Sequence, residues 1–517
     1  MTLPVDVDTL AITSAFCAVG VIALLLRRFT TSPALPYPPG PPARGLVGNL
    51  KDVPTELEWE TYTEWGKKYG PILHFRILTN HVIVLNSFEA AVALLDKRSA
   101  VYSNRPTFTM QGELMGWQWN TALMNGDRWR AHRRILHHYL HESMAKNYRP
   151  THARAVVQLL RALIDSPDDF YQHVRRWAAA SILPISHGID VTVDKTGDNW
   201  IELADEAMRT IATAGLPGAW AVDWIPALKY VPEWFPGASF QRKAKEWSKL
   251  AMQMRDATFD LVQSQMRSGT APPSVAAELS QNGFAGEPVP EEVTRNVAGA
   301  LYLGGADTTV SVVQSFIYSM VLNQEDQRLA QAEIDRVVGQ DRLPEYSDKE
   351  SLPYVNAVIL EVYRLYPSVP LGIPHCAQED DVYMGMRIPK GATVLANTWG
   401  ILRNEDTYPE SHSFRPQRFF RDGRVDPTVP DPRIPVFGWG RRVCVGEPVA
   451  EASIWLAITS ILACFSITPA KDEHENDSIP KLQLRSGLVT SPRPFSCTIT
   501  PRSTALKQLV ASASDQL

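Results

Sequence analysis

Cysteine is scarce and scattered in this chain: five in 517 residues, at positions 17, 376, 444, 464 and 497, with no CxxC pair and no zinc-like spacing. An odd, dispersed set argues against a disulfide framework and fits a reducing compartment. Net charge is also low. A value of −5 is small for this length and offers no nucleic-acid partner. Internal repeats are lacking, and so are a P-loop and a GxGxxG, which removes any nucleotide site built on those motifs. No linker divides the body, although the length alone allows several domains. Low-complexity sequence is confined to PYPPGPP (Pro36 to Pro42) and a Ser/Ala-rich tail after Thr504.

What is present starts at the N-terminus. Leu10 to Leu26 is a run of seventeen residues without a charge, at the short end of what spans a bilayer as a helix. Asp6 and Asp8 precede it; Arg27 and Arg28 follow. A cleaved signal peptide carries its positive charge in front, so this order predicts a retained single-pass anchor over residues 1–28, with everything after it cytosolic. Residues 29–42 then form a proline-stiffened hinge, and 43–517 form the body.

With 44% hydrophobic and 21% charged residues, the body can bury a large core. Ile72 to Leu85 reads as two short strands turning at Thr79-Asn80, and Val382 to Ala396 as a second strand-rich patch. Helical patterns run over Arg128 to Leu140, Asn296 to Leu322, Glu325 to Val338 and Leu352 to Leu365. The fold class predicted is mainly α with a small β portion, not alternating βαβ units.

Phe437 to Gly446, FGWGRRVCVG, is the most informative stretch. A metal-binding cysteine is a thiolate, and glycines at 440 and 446 let backbone come close to a flat cofactor and to sulfur. Arg442 has the planar fork that grips a carboxylate. Glu361 and Arg364 share a helical face at i, i+3; an ExxR alone describes a solvated pair as readily, but apolar residues flank this one. Gly304 and Gly305 lie mid-helix at a cost of about 1 kcal/mol each relative to alanine, which suggests a ligand against the helix. Beside them Asp307 and Thr308 suit proton delivery, or a hydroxyl bonded back to the helix and an acid reaching solvent. Trp129 and Arg133 stand one above the other at i, i+4. Arg130, Arg134 and Arg441 could form a basic patch for an acidic electron donor, or an ordinary solvated face.

FxxGxRxCxG resembles the haem-binding motif of the cytochrome P450 family, matched by Phe437, Gly440, Arg442, Cys444 and Gly446. The family is the standard example of cysteine-thiolate haem ligation. The resemblance runs from about residue 35 to 500 and implies a single-domain cytochrome P450 fold behind the N-terminal helix. It implies haem b with Cys444 as axial ligand, Phe437 near the sulfur, and Trp129, Arg133, Arg442 and His375 on the propionates. It also implies Asp307 and Thr308 as the acid–alcohol pair on the oxygen side, and a structural triad of Glu361, Arg364 and Arg418. FRPQRF (Phe414 to Phe419) departs from the family's PERF at Gln417, where a glutamate is usual. Trp224-Ile-Pro226, Val231 to Gly237 and Ile373-Pro-His375 resemble fungal members of secondary metabolism.

The implied activity is a monooxygenase acting on a hydrophobic small molecule of terpenoid, polyketide or indole class. Pocket residues are expected in Phe108 to Trp119 and Val369 to Ile373. Electrons would come from NADPH through a separate flavoprotein, NADPH–cytochrome P450 reductase, with cytochrome b5 as a further donor. The partners also include membrane lipid of the endoplasmic reticulum. The rival readings are a thiolate-haem isomerase or dehydratase working without dioxygen, and a non-catalytic haem sensor.

Overall fold

Glu291–Leu322 is apolar almost all the way round, and a helix of that kind has to be buried. The rest of the body is arranged to bury it. The computed structural model describes residues 35–191, 197–215 and 219–515; the anchor expected over residues 10–26 lies outside them. In chain order the principal elements begin with α1 (Glu58–Tyr69), β1 (Ile72–Ile77), β2 (Asn80–Leu85) and α2 (Gly126–Leu140). α3 (Arg149–Asp165), α4 (Phe170–His187), α5 (Gly197–Ala214) and α6 (Ser239–Ser268) follow. Then come α7 (Glu291–Leu322), α8 (Gln324–Val337), α9 (Pro353–Leu365), β3 (His375–Cys376) and β4 (Thr393–Ala396). α10 (Glu447–Cys464), β5 (Phe465–Lys471), β6 (Cys497–Pro501) and α11 (Thr504–Ser514) complete it.

At 32 residues α7 is about 48 Å long and runs through the body. Glu291 and Glu292 occupy its first turn, where carboxylates suit the positive end of the helix dipole. α4 lies along it, and α3, α8, α9 and α10 share the same core cluster, which includes Trp177, Phe316 and Trp455. α10 is long and apolar enough to cross a membrane, but 72% of it is buried in this core, which is where its composition comes from.

The larger sheet has the order β1-β2-β4-β3: β1 and β2 antiparallel, β4 parallel to β2, β3 antiparallel to β4. The hairpin turn is Leu78-Thr79, with Ile77 opposite Asn80, one residue earlier than the sequence suggested. Leu78 takes a φ of 54° there, which no residue pattern announces. β5 and β6 pair antiparallel at the far side.

Two segments differ from expectation. The proline-rich stretch is no free spacer from residue 36 onward: His74 N donates to Pro39 O at 3.1 Å and Arg387 N to Pro36 O at 2.8 Å. Tyr37 stacks on His74 at 4.6 Å, and His74 Nε2 lies 2.9 Å from His81 Nδ1 on the neighbouring strand. The Ser/Ala-rich tail is a capped helix, α11. Ser503 Oγ accepts from Leu506 N, and Leu506 and Val510 are buried against α3.

Candidate active site

Cys444 stands on the loop that leads into α10. Arg433–Phe437 forms a short helix, Gly438 turns the chain at φ 91°, and Cys444 N donates to Phe437 O at 2.7 Å. Gly440, at φ 52°, is required outright, because a Cβ there would stand 2.3 Å from Leu95 O. Phe437 is wedged edge-on against Tyr363, 5.7 Å between centroids. The amides of Gly446 and Glu447, at the start of α10, bond the sulfur and favour its thiolate, as does Arg133. Burial is the larger influence and pushes the Cys444 thiol up, while its surface remains accessible. The two hold together where a sulfur faces a chamber inside the protein.

Above this loop the cations gather without anions. Arg442 donates from Nε to Ser103 O at 2.6 Å and from Nη2 to Met124 O at 2.8 Å, and its Nη1 is buried with no partner. Arg133 donates to Val443 O at 2.7 Å. Arg105, which the sequence reading passed over, is buried and spends its donors on the carbonyls of Ala122, Ile373 and Pro374. Among the described residues none of the three pairs with a carboxylate. Burial lowers the pKa of all three; repulsion from neighbouring arginines adds to it at Arg442, brought down to about 10, and at Arg105, held well below its ordinary value, whereas the charge of Cys444 opposes it at Arg133. His375, on β3, gives its Nδ1 proton to Tyr102 O at 2.7 Å; burial and then Arg105 push its pKa far down.

Uncompensated buried cations are expensive. A ligand bringing two carboxylates next to an iron would satisfy the orphan Arg442 donor and the Cys444 sulfur together. The residues present therefore fit haem, with Cys444 as the iron ligand and Arg105, Arg133, Arg442 and His375 around the propionates. Trp129 holds Arg442 in place as an aromatic platform.

On α7 the two glycines separate by task. A Cβ on Gly304 would meet nothing within 4 Å, so this turn faces open space; on Gly305 it would stand 3.0 Å from Ile182 of α4. Only the first leaves room for a ligand. Thr308 Oγ1 donates to Gly304 O at 2.8 Å, the back-bonded form. Asp307 turns away from bulk water: burial raises its pKa, and Arg175 is the strongest influence against that. Arg175 forms an ion pair with Asp205 of α5.

Two loops hold the walls. Ser368 Oγ donates to Thr308 O at 3.2 Å, Thr490 N to Ser368 O at 2.8 Å, and Ser311 Oγ to Thr490 O at 2.5 Å. Across the chamber, Met110 N donates to Asp223 at 2.8 Å and Lys229 pairs with Glu113 at 2.5 Å, so the 108–119 loop is latched to the 221–231 segment.

Glu361 and Arg364 form a bidentate pair at 2.7 and 2.8 Å, both side chains fully buried, and Arg418 Nε reaches the same carboxylate at 3.1 Å. Arg364 also donates to Leu402 O and Ser411 O, which ties α9 to the segment ahead of the cysteine loop. Gln417 is explained by its neighbour: its Nε2 donates to Asp326 at 2.5 Å and to Tyr354 Oη at 3.0 Å. A glutamate there would set two carboxylates against each other.

Arg134, on the outer face of α2, and Arg441, on the cysteine loop, are exposed, whereas Arg130 is engaged by Asp127.

The family profile described as Cytochrome P450 matches residues 38–499. The chain is 37% identical over 519 residues to the cytochrome P450 monooxygenase COX2 of Coprinopsis cinerea, covering 99% of this chain and 98% of that protein. It is 40% identical to cytochrome P450 monooxygenase 98 of Postia placenta, covering 92% and 93%. It is 39% identical to the tryptamine 4-monooxygenase of Psilocybe cyanescens, covering 92% and 94%. A thiol loop, an open helical turn, guanidiniums without carboxylate partners and relatives matched end to end lead to one conclusion: the chain belongs to the cytochrome P450 family and is a monooxygenase.

Proposed function

We propose that this enzyme is a haem-thiolate monooxygenase of fungal secondary metabolism, oxidising a hydrophobic small molecule of terpenoid, polyketide or indole class. The observation that carries the reading is the buried pair Arg105 and Arg442, with the half-buried Arg133 beside them and no carboxylate partner for any of the three, next to the open Cys444 sulfur. Haem bound there would supply dioxygen activation, with the thiolate's electron donation favouring O–O cleavage. The protein's part is positioning and proton supply. The amides at the start of α10 hold the sulfur's charge; the guanidiniums fix the propionates. Thr308 turns its hydroxyl from Gly304 O towards the chamber, and Asp307, whose burial favours its protonated form, hands protons on to it. The latched 108–119 loop keeps bulk water out. The name of one relative, tryptamine 4-monooxygenase, supports the indole class among the three.

Electrons come from NADPH through a separate membrane-bound reductase, with cytochrome b5 as a further donor, at the face carrying Arg134 and Arg441. The catalytic body of residues 43–517 lies on the cytosolic side of the endoplasmic reticulum. Support for a lipid-facing side comes from Tyr230 and Trp234, each 79% exposed, with Ile225 and Phe235 nearby. Leu46 and Val47 are exposed beside them, next to the hairpin turn that Asn80 ties to Trp224 O.

The test is twofold. Reduced protein under carbon monoxide should give the red-shifted Soret band of thiolate-haem, and Cys444→Ser should lose it; persistence of the band in the variant rejects the ligand assignment. With reductase, NADPH and isotopically labelled dioxygen, metabolites from expressing cells should acquire one labelled oxygen atom. A product formed without label and without reductase would establish the isomerase or dehydratase instead.

A further inference from the structure

The outward face of α2 carries a stripe of nitrogen bases. Arg130, Arg134, His137 and His141 follow one another at i, i+4, i+7 and i+11, which places them on one side of the helix and its end. Trp129 and Arg133 occupy the inner side, next to the cysteine loop. The last two members of the stripe stand as a pair. The imidazoles of His137 and His141 have centroids 5.9 Å apart, with 36° between their planes. His141 Nδ1 is held by Ser143 Oγ at 2.9 Å, which fixes its ring and leaves Nε2 without a hydrogen bond among the described residues. The side chain of His137 has no hydrogen bond or ion pair among the described residues.

A divalent metal binds imidazole nitrogen at about 2.0–2.1 Å, which puts each ring centre roughly 3 Å from the ion. Two such rings around one ion are therefore about 5–6 Å apart, and the observed separation lies in that range. A hydrogen bond to the far nitrogen, as Ser143 makes, is the arrangement that orients metal-bound histidines. His138 is the poorer partner: its ring is 6.4 Å from that of His141 and is held edge-on to Tyr139 at 5.0 Å and Phe284 at 5.4 Å. Among the described residues no three histidine, cysteine or carboxylate side chains converge on one point. The site is thus bidentate, with water completing the shell. Imidazole donors without carboxylates select zinc, copper or nickel over magnesium or calcium.

We propose that His137 and His141 form a surface site for a divalent metal of the zinc–copper class, and that its occupancy slows electron delivery by obstructing the donor face. The second half rests on the reading of that face as the donor's docking surface; the first half does not. The ion would sit about one helical turn, roughly 5 Å, beyond Arg134.

The experiment uses full-length holoenzyme carrying no polyhistidine tag. Calorimetric titration with zinc should show one equivalent bound, at least tenfold more weakly in His137→Ala and in His141→Ala, and undiminished in His138→Ala. Equal zinc uptake by wild type and His137→Ala would overturn the site. In the turnover arm, zinc should inhibit the reductase-driven reaction with the midpoint found by calorimetry, and each of the two ligand variants should need at least tenfold more zinc for the same inhibition. Peroxide-driven turnover, which bypasses the donor, should be unaffected. Zinc binding at the pair with full reductase-driven turnover would overturn the regulatory half and leave the metal site standing. Equal inhibition of both routes would overturn it too, by locating the effect at the haem.

Discussion

The guanidinium of Arg442 lies over the indole of Trp129, its Cζ 3.9 Å from the ring centroid, so the cation is carried on an aromatic face and not by an acid. A desolvated contact of this kind contributes about 2 kcal/mol. It also leaves all of the fork's remaining donor capacity for a ligand.

Arg442→Lys keeps the charge and loses the fork. Haem content of the purified variant should fall several-fold, while Trp129→Phe, which keeps an aromatic face, should fall less. Full haem occupancy in Arg442→Lys, measured by absorbance against protein concentration, would show that the propionates are held elsewhere.

Glu361 and Arg364 are completely buried and satisfy each other. Removing one partner leaves a lone interior charge and should cost about 3–5 kcal/mol. Glu361→Gln should therefore shift the urea midpoint strongly or prevent folding, and the double variant Glu361→Leu with Arg364→Met should recover part of the loss. A single variant as stable as the parent would place the pair outside the cooperative core.

Gln417→Glu should restore the family's usual residue and yet destabilise this chain, because the new carboxylate faces Asp326. One of the two would have to hold a proton. The folded-state pKa of the pair is thereby raised, so the deficit should be small in acid and grow as pH rises through that pKa. Melting temperatures of variant and parent across pH 4 to 8 measure it, and a constant offset would mean that repulsion is not the cause.

The pair His74 and His81 predicts the opposite slope. Burial, followed by the charge of its neighbours, lowers His74 to about 4, from an unfolded value near 6.5. Below 6.5 the undocked state binds the proton that the docked state refuses, so stability present at neutral pH is lost as pH falls towards 4. Proteolysis between residues 35 and 43 should speed up over that window, and His74→Gln should flatten the response.

The two α7 glycines separate packing from function. Gly305→Ala should cost about 1–3 kcal/mol through the clash with Ile182. Gly304→Ala should be neutral or stabilising by up to about 1 kcal/mol and should change the ratio of products, since its methyl enters the chamber. Unchanged product ratios would place the substrate away from this turn.

What was legible in the sequence was local. Phe437 to Gly446 and Glu361 with Arg364 carry their geometry within ten residues or one helical turn, and the long apolar run of α7 announces its own burial. Arg105 was missed because its partners, Ala122, Ile373 and Pro374, come from distant parts of the chain. Gln417 read as a departure until Asp326, from another helix, was beside it. The glycine pair looked like one feature, and only the position of Ile182 divides it. The tail after Thr504 was read by composition, whereas its Ser503 cap and the spacing of Leu506 and Val510 are those of an amphipathic helix.

Because α10 follows directly on the cysteine loop and is buried along its whole length from Ser453 to Cys464, the sulfur stands next to a well-protected segment of the chain. Amides on such a segment exchange with deuterium only when the molecule opens globally. Loops latched at the chamber mouth, such as 108–119, can open and close many times within that lifetime. On the proposed function, substrate traffic and haem retention should fall to different cooperative units, and exchange kinetics of residues 447–464 should report on haem loss while those of 108–119 report on turnover.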